Sequence, residues 1–460
     1  MSTLSQHRLR SAYSAAHIPQ YIFRSTYSAP HTPESAKAYS LMKLEDVDLL
    51  DLDRFAREEH HEMFTVLRAE DPVHWTPEPD GPGFWSITKH ADVQLVNRDT
   101  DGFSAEAGGI TLLESSTLDE GMDMRGKIMV MTDPPRHTRY RLLVNKGFTP
   151  RMIGLIEAHL EYRAELIVDT VIERGECEFV TELAAELPLQ AIADIMGVAQ
   201  EERHLLFDWS NRLVGSDDPE YNQDPEDKAD ALVAATELYM FASALGEARR
   251  NDPRDDVVTK LINAEINGDK LTPEEFELFI LLLAVAGNET TRNATAHGMY
   301  AFMNYPEQFA KLREHPELMP SAVEEVLRWS SPVLYFRRQA TRDFELRGKQ
   351  IRAGDKIAMW HVSGNRDEEA FEDPFTFDIT RSPNDHVAFG GGGAHYCLGA
   401  NLAKLELRLL FNQLVNRTPD MRVAGPVERL RSNFIGGIKH IPVEFTPGER
   451  IHAPEPSLSS

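Results

Sequence analysis

The chain has little cysteine and no long apolar run. Only two of its 460 residues are cysteines, Cys177 and Cys397, so a disulfide framework cannot organise the fold. The apolar stretch from Phe279 to Ala286 is far shorter than the roughly 20 residues that a membrane span needs. The N-terminal region also lacks the apolar segment of a secretory signal. We therefore expect a cytoplasmic protein of bacterial type with no membrane anchor.

Basic residues are scarce relative to acidic ones. The chain has 48 Lys and Arg against 74 Asp and Glu, for a formal net charge of −26. A protein of this charge repels phosphate groups and anionic lipid headgroups. The charge balance therefore excludes nucleic acid and anionic membranes as expected partners.

The N-terminal region differs from the rest in composition. No acidic residue precedes Glu34, whereas Arg8, Arg10 and Arg24 are basic. This composition fits a transit peptide, a disordered arm or an upstream stretch translated from a misassigned start. We expect a weakly ordered arm over residues 1–44, a single domain over 45–449 and a C-terminal tail over 450–460.

The most informative residue that is present is Cys397. Four glycines, residues 390–393, precede it, and a stretch with helical periodicity begins just after Gly399. The free N–H groups and dipole at a helix start stabilise a thiolate. Glycines allow the backbone to pass close to a flat, bulky group. This pattern favours an axial cysteine ligand to a haem iron, although a glycine run before a helix also suits phosphate.

A second segment predicts a long central helix. Thr272 and Glu275 form a capping box with Pro273 between them, and the helix should run towards Tyr305. Its apolar middle breaks at Gly287 into a polar patch that contains Glu289 and Thr290. We expect the helix to open there, with the Thr290 hydroxyl bonding backward to a carbonyl.

A third segment holds Glu325 and Arg328, three residues apart on a predicted helix. Residues at this spacing share a helix face and can pair. Taken alone, such a pair carries little information, because surface helices contain many of them.

Together and in this order, these segments resemble the cytochrome P450 family, and the resemblance covers nearly the whole chain. Further landmarks occur in the family's order, at residues 133–141, 148–151, 338–343, 365–367 and 375–378. The resemblance implies a mainly α fold with a smaller β-rich lobe, and haem b between the long central helix and the helix after the cysteine. It implies a monooxygenase that uses O2 as co-substrate.

The resemblance also implies roles for individual residues. Cys397 matches the axial thiolate ligand of the iron, and Phe389 matches the aromatic side chain near its sulfur. Thr290 and Glu289 match the alcohol and the acid that deliver protons during oxygen activation. The other positions matched to haem binding are His137, Arg141, Ala286, Gly287, Arg338, His395 and Gly399. Glu325 and Arg328 match a buried structural pair, which the family extends with an arginine from the 365–367 region.

An apolar lining is expected for the substrate pocket. The expected residues come from the central helix, from the segment after Pro332 and from the 434–438 tip, namely Leu282, Val285, Ala286, Val333, Leu334, Phe336 and Ile435. Such a lining favours a hydrophobic substrate with few polar anchors. The motifs at 331–338, 364–368, 389–403 and 436–443 look like the bacterial P450s that ω-hydroxylate methyl-branched lipids and sterol side chains.

The expected electron donors are a ferredoxin and its NAD(P)H-dependent reductase. A basic landing site is expected near the cysteine, drawn from Arg136, Arg139, Lys146, Lys404 and Arg408. Three alternatives stay open. They are a P450 acting on a terpenoid or aromatic compound, a haem-thiolate sensor without turnover, and a nucleotide-binding dehydrogenase. The dehydrogenase would need its glycine loop directly after a strand.

Overall fold

The computed structural model describes residues 42–79, 81–112, 124–145, 148–199, 202–222, 229–254, 256–266 and 268–453. Most of the expected N-terminal arm, most of the expected tail and Lys146 lie outside these residues.

Helices dominate the described residues. The fourteen α-helices among them are α1 (Leu52–Ala56), α2 (His60–Glu70), α3 (His90–Arg98), α4 (Arg136–Val144), α5 (Pro150–Asp169), α6 (Glu186–Met196), α7 (Arg203–Val214), α8 (Ala229–Asn251), α9 (Val257–Ile262), α10 (Pro273–Asn304), α11 (Pro306–Glu314), α12 (Met319–Ser330), α13 (His361–Gly364) and α14 (Ala400–Arg417). A π-helical turn at Val180–Ala184 leads into α6.

Short strands form the smaller lobe. The strands are β1 (Val73–Thr76), β2 (Phe84–Ile87), β3 (Phe103–Ser104), β4 (Glu176–Glu178), β5 (Glu265–Ile266), β6 (Asp269–Lys270), β7 (Tyr335–Ala340), β8 (Phe344–Leu346), β9 (Lys349–Ile351), β10 (Lys356–Trp360), β11 (Arg422–Val423), β12 (Glu428–Arg429), β13 (Ile438–His440) and β14 (Pro442–Glu444). The largest sheet has the order β1-β2-β10-β7-β3, in which only the β2–β10 pair is parallel. A second sheet has the order β11-β14-β4.

The sequence over residues 85–88, 343–351 and 356–360 predicts strands, and the structure differs from this prediction in one detail. Trp85 lies in β2, and residues 356–360 form β10. The stretch from Asp343 to Ile351 is not one strand. It is the hairpin β8–β9, which turns at Arg347 and Gly348, both with positive φ. Glycine tolerates this backbone conformation at low cost, which places the turn there.

The long helix α10 runs through the core as predicted. The Thr272 hydroxyl accepts from the Glu275 N–H at 3.2 Å, and the Glu275 carboxylate accepts from the Thr272 N–H at 2.9 Å. Helices α6, α7, α8, α12 and α14 all pack against α10. The expectation that the helix opens at Gly287 was wrong, because α10 is continuous through the polar patch. Close packing on several sides holds it regular there.

Residues near both ends of the described range contact the rest of the chain. Met42 and Leu44 pack against an apolar cluster that includes Leu49. At the other end, the Asp169 carboxylate accepts from the N–H groups of Ile451 and His452 at 3.0 and 2.8 Å. The first residues of the expected tail are therefore bound to α5.

None of the described helices combines the length and the apolar character that crossing a membrane requires.

Candidate active site

Cys397 lies directly before α14, as the sequence predicts. Its N–H donates to the Phe389 carbonyl at 3.1 Å, which closes the loop between them. Part of the residue's surface is accessible, while the thiol itself is enclosed by protein and lies near the N–H groups of Gly399 and Ala400 at the start of the helix. Burial by surrounding protein raises the pKa of this thiol, while the N–H groups of Gly399 and Ala400 act to lower the pKa. The positive charge of Arg141 also favours the thiolate.

The four glycines before Cys397 pack against α3. All four have positive φ, which only glycine adopts readily. A Cβ on Gly393 would lie 2.8 Å from the Asn97 carbonyl oxygen, and one on Gly392 would lie 2.9 Å from Arg98 Nε. The close approach that these glycines permit is therefore an approach to a helix.

Asn97 ties this loop to the sheet. Its side-chain amide donates to the carbonyls of Gly390 and Gly392, the latter at 2.9 Å, and its Oδ1 accepts from Arg338 Nη2 at 3.1 Å. Sequence reasoning missed Asn97, because no local pattern marks a residue whose partners lie almost 300 positions away. A single side chain therefore orients both the cysteine loop and Arg338.

Four of the residues matched to haem binding form a cationic cluster. The rings of His137 and His395 lie 4.1 Å apart between centroids. Burial, with the nearby charges of Arg141 and Arg338, lowers the pKa of His137 to about 4. Burial, with the charge of Arg338 next, lowers the pKa of His395 to about 2. Arg338 is itself buried, and burial lowers its pKa to about 10.

This cluster fits the carboxylates of a haem. His137 Nδ1 and His395 Nε2 are buried atoms without a hydrogen-bond partner. Buried polar atoms are normally satisfied, so these two nitrogens indicate a missing polar partner. Two arginines beside them make an anionic partner favourable. Two propionates would supply that negative charge and those acceptors, with Cys397 available to the iron.

One face of α10 is open in the middle of the helix. Leu282, Val285 and Thr290 are half-buried and Ala286 is exposed, whereas residues 288 and 289 are buried. The spacing of 282, 286 and 290 places these residues on one side of the helix. The Thr290 hydroxyl donates to the Ala286 carbonyl at 2.7 Å, as predicted. An apolar wall that ends in one hydroxyl is thus presented on this face.

Glu289 lies on the closed side of the helix. Its carboxylate accepts from Arg292 Nη2, and both side chains are almost fully buried. Arg292 Nη1 also donates to Asn211 Oδ1 of α7 at 2.8 Å. Burial raises the pKa of Glu289, and the charge of Arg292 opposes this rise. The structure therefore separates Glu289 from Thr290, which the sequence had placed in one functional patch.

Gly287 contacts a neighbouring helix. A Cβ at this position would lie 2.5 Å from Ile192 Cδ1 of α6. The missing side chain therefore lets α6 and α10 pack closely. Of the two neighbours Ala286 and Gly287, it is Ala286 that lies on the open face of α10.

The residues expected to line the substrate pocket divide into two groups. Val333 and Phe336 are half-buried, like Leu282 and Val285. Leu334 and Ile435 are buried, with 2% and 4% of their surface exposed. Leu334 packs in a core cluster with Leu49 and Trp360. The sequence could not separate these groups, because the burial of each apolar side chain depends on contacts between remote segments.

The Glu325–Arg328 pair is fully buried and supports the fold, as expected. Arg328 Nε donates to Glu325 Oε2 at 2.7 Å. The expectation that an arginine from the 365–367 region extends this pair was wrong. Arg381 makes that contact, with Nε 3.2 Å from Glu325 Oε2, whereas Arg366 Nη2 donates to the Trp329 carbonyl at 2.7 Å.

Most of the basic residues expected to form a landing site are paired with acids. Arg139 contacts Asp269 and Glu275, and Lys404 Nζ lies 2.6 Å from Glu324 Oε1. Arg408 pairs with Glu157, and Arg136 Nη1 lies 3.9 Å from Glu106. The group is thus less positive than its basic residues alone suggest.

The fold and this site define a haem-thiolate protein, and comparisons with known proteins agree. A family model for cytochrome P450 matches residues 189–417. The chain is 44% identical over 413 residues to a steroid C26-monooxygenase of Mycolicibacterium smegmatis, covering 87% of this chain and 94% of the relative. It is 41% identical over 413 residues to a methyl-branched lipid omega-hydroxylase of Mycobacterium tuberculosis, covering 87% and 95%.

A solved structure shows the same architecture. A cytochrome P450 of Mycobacterium marinum in complex with pseudoionone matches with a TM-score of 0.81 and 37% identity, over 88% of this chain and all of that chain. The chain belongs to the cytochrome P450 family. It is a monooxygenase with a haem cofactor, an axial cysteine thiolate and O2 as co-substrate, and it takes a hydrophobic substrate and electrons from redox partners.

Proposed function

We propose that this enzyme hydroxylates a terminal methyl group of a methyl-branched aliphatic chain, either in a branched lipid or in a steroid side chain. The observation that carries the proposal is the identity of 41–44% to relatives whose names describe such reactions. The alignments cover most of the chain and include the apolar positions around the open face of α10.

The open face of α10 suits an aliphatic substrate. Leu282, Val285 and Ala286 offer no hydrogen bond from their side chains, so they favour an apolar ligand. Thr290 is the one polar side chain among them. A terminal methyl is harder to oxidise than an adjacent methine, so the pocket has to select it by position. Val333 and Phe336 are the further side chains that we assign to this task.

The haem supplies the oxidation chemistry, and the protein supplies binding, orientation and protons. We assign Cys397 as the iron ligand, and His137, His395, Arg338 and Arg141 as the groups that hold the propionates. The Thr290 hydroxyl is placed to pass a proton at its Oγ1. Glu289 can join that path only by leaving Arg292, which makes it a gated proton source.

We propose a ferredoxin, reduced by an NAD(P)H-dependent reductase, as the electron donor. Two residues at the cysteine loop support this assignment, the exposed Tyr396 and Lys404, whose Nζ lies 5.4 Å from the centroid of the Phe389 ring. Arg136 and Arg408 add further basic side chains, each near an acid. Partly neutralised arginines and lysines of this kind favour a transient complex whose affinity falls with salt.

The test is a titration of the purified ferric holoenzyme with a cholestenone, a methyl-branched fatty acid and a monoterpene alcohol, followed through the Soret band. A saturable high-spin shift with the sterol or the branched acid, followed by mass spectrometry showing a terminal hydroxyl, supports the proposal. A shift and a product with the monoterpene alcohol alone would overturn the proposal and indicate a P450 that acts on terpenoids. A shift without product, with reducing partners present, would favour a sensor.

A further inference from the structure

A second cavity lies away from the cysteine loop. It is lined by parts of α2, α10, α12 and the β12–β13 hairpin, and it holds about 100 Å³ of space. The described residues that line it include none from 389–399 and none from 282–290. The cavity is therefore separate from the face of α10 that the proposed function uses.

Two arginines reach this cavity with unused donors. Arg366 Nη2 donates to the Trp329 carbonyl at 2.7 Å, and Arg429 Nη2 pairs with Glu58 Oε2 at 2.7 Å. The Nη1 atoms of both arginines are buried and have no hydrogen-bond partner. Arg366 is 3% exposed. An unsatisfied guanidinium nitrogen in a buried position is costly, so two in one cavity indicate a missing acceptor.

The charge in the cavity is unbalanced. Glu58 is the one acidic residue among the described residues that line it, against Arg366 and Arg429. Burial, and then the charges of both arginines, lowers the pKa of His60 to about 3. Burial and the same two charges also lower the pKa of His297 to about 3. Both histidines are therefore neutral, and the two arginines give the cavity a positive electrostatic potential.

Aromatic rings fix the positions of the two guanidinium groups. Arg366 Cζ lies 4.7 Å from the centroid of the Trp329 ring, and Arg429 Cζ lies 5.4 Å from that of Tyr300. His60 stacks on Phe55 at 5.0 Å between centroids, and its Nδ1 is also buried without a partner. Donors held in this way lose little freedom when a ligand binds.

We propose that this cavity binds a small oxyanion, with Arg366 Nη1 and Arg429 Nη1 as the principal donors. The ligand chemistry is a group with two or more charged oxygens, which inorganic phosphate and a carboxylate share. Water would satisfy the donors but would leave the positive charge in place, whereas an oxyanion provides both acceptors and charge.

Binding at this site would also affect the neighbouring hairpin. Arg429 lies in β12, and the cavity wall includes Gly436, whose carbonyl lies 3.2 Å from His297 Nε2. An oxyanion between Arg429 and Arg366 would therefore hold the hairpin against the segment that follows α13.

The experiment is isothermal titration of the ferric holoenzyme with sodium phosphate and, in a second arm, with sodium acetate. Sodium chloride keeps the ionic strength constant. Bound haem is required, because its propionates would fill the cationic cluster around Arg338. Without haem, that cluster could itself take up the added anion. We expect one saturable site per chain. Binding of phosphate alone identifies inorganic phosphate as the source, and binding of acetate identifies a carboxylate.

Two variants with opposite expected effects make the test decisive. Arg429→Gln should weaken binding about tenfold, because one charged donor is lost. Glu58→Gln should strengthen binding about threefold, because it removes the competing acid, and a misfolded protein would not produce a gain. Arg450→Gln, at a surface pair with Glu173, is the control and should bind like the wild type. The proposal fails if neither salt binds saturably, if Arg429→Gln binds normally or if Glu58→Gln binds more weakly.

Discussion

The carboxylate of Glu289 is held by the guanidinium of Arg292, one turn further along the central helix, and only 1% and 3% of these residues are exposed. Such a pair is stable when intact but leaves an uncompensated buried charge when one partner is removed. The acid is thus kept away from Thr290, whose hydroxyl lies on the open face. Proton transfer through Glu289 requires that this ion pair break, at least transiently.

Replacing Glu289 tests this gate. Glu289→Gln keeps the side-chain length but has no proton to exchange, so turnover should fall at least about tenfold. The high-spin shift on substrate binding should stay unchanged, because Glu289 does not line the open face. Steady-state product formation and the Soret titration check the two expectations. Glu274→Gln, on the exposed first turn of the same helix, is the control. Wild-type turnover in Glu289→Gln would remove Glu289 from the proton path.

Replacing Thr290 separates proton delivery from electron consumption. Thr290→Ala removes the only side-chain hydroxyl on the open face of α10 as described, so NAD(P)H oxidation should continue while product per NAD(P)H falls several-fold. Thr290→Ser keeps the hydroxyl and should retain most of the coupling. The measurement is the ratio of hydroxylated product to NAD(P)H oxidised. An unchanged ratio in Thr290→Ala would contradict a proton role.

The two cysteines provide a matched pair for testing the iron ligand. Cys397→Ser should lose the absorption spectrum of thiolate-ligated haem and retain several-fold less haem, because a neutral hydroxyl is a poor replacement for a thiolate. Cys177→Ser should leave the spectrum unchanged. Cys177 lies in β4, where burial raises the pKa of its thiol to about 12 and keeps it protonated. A thiolate spectrum in Cys397→Ser would overturn the assignment.

Glu406 should make stability depend on pH. It is buried between α14 and α10, and burial raises its pKa from the ordinary 4.5 to about 8. A raised pKa gives stability that is complete below the unfolded value and is lost as the pH rises towards 8, at a cost on the order of 3 kcal/mol near pH 7. Glu406→Gln should therefore unfold at a higher temperature than the wild type at pH 7.5.

The same comparison at a lower pH provides the internal control. At pH 5 Glu406 is protonated in the folded protein and partly so in the unfolded chain, so the advantage of Glu406→Gln should fall to about a quarter of its value at pH 7.5. Calorimetric melting of both proteins at the two pH values measures this, with the exposed Glu307→Gln as a further control. A gain that is equal at both pH values would point to packing instead.

Local sequence patterns predicted the features that depend on near neighbours. The Thr272–Glu275 capping box, the backward bond of Thr290 and the placement of Cys397 before α14 each involve residues a few positions apart. The Glu325–Arg328 pair is also of this kind. Periodicity and capping rules are sufficient at such distances.

Features that depend on distant partners could not be predicted in this way. The sequence pointed to an arginine of the 365–367 region as the partner of the Glu325–Arg328 pair, and only the folded chain shows that Arg381 makes this contact. The role of Asn97 and the burial of Leu334 depend on contacts between remote segments. Glu289 is a different case: its partner Arg292 was close by, but the side of the helix that is open to the site depends on packing by α6 and α7.

The contact between Asn97 and the carbonyl of Gly390 joins positions 293 residues apart. Closing such a long loop lowers the conformational entropy of the chain, so these contacts tend to form after local ones. Folding intermediates that have formed α14 but not docked α3 would present Cys397 on an unanchored loop. We therefore expect haem to bind only to chains in which α3 has already docked against the cysteine loop.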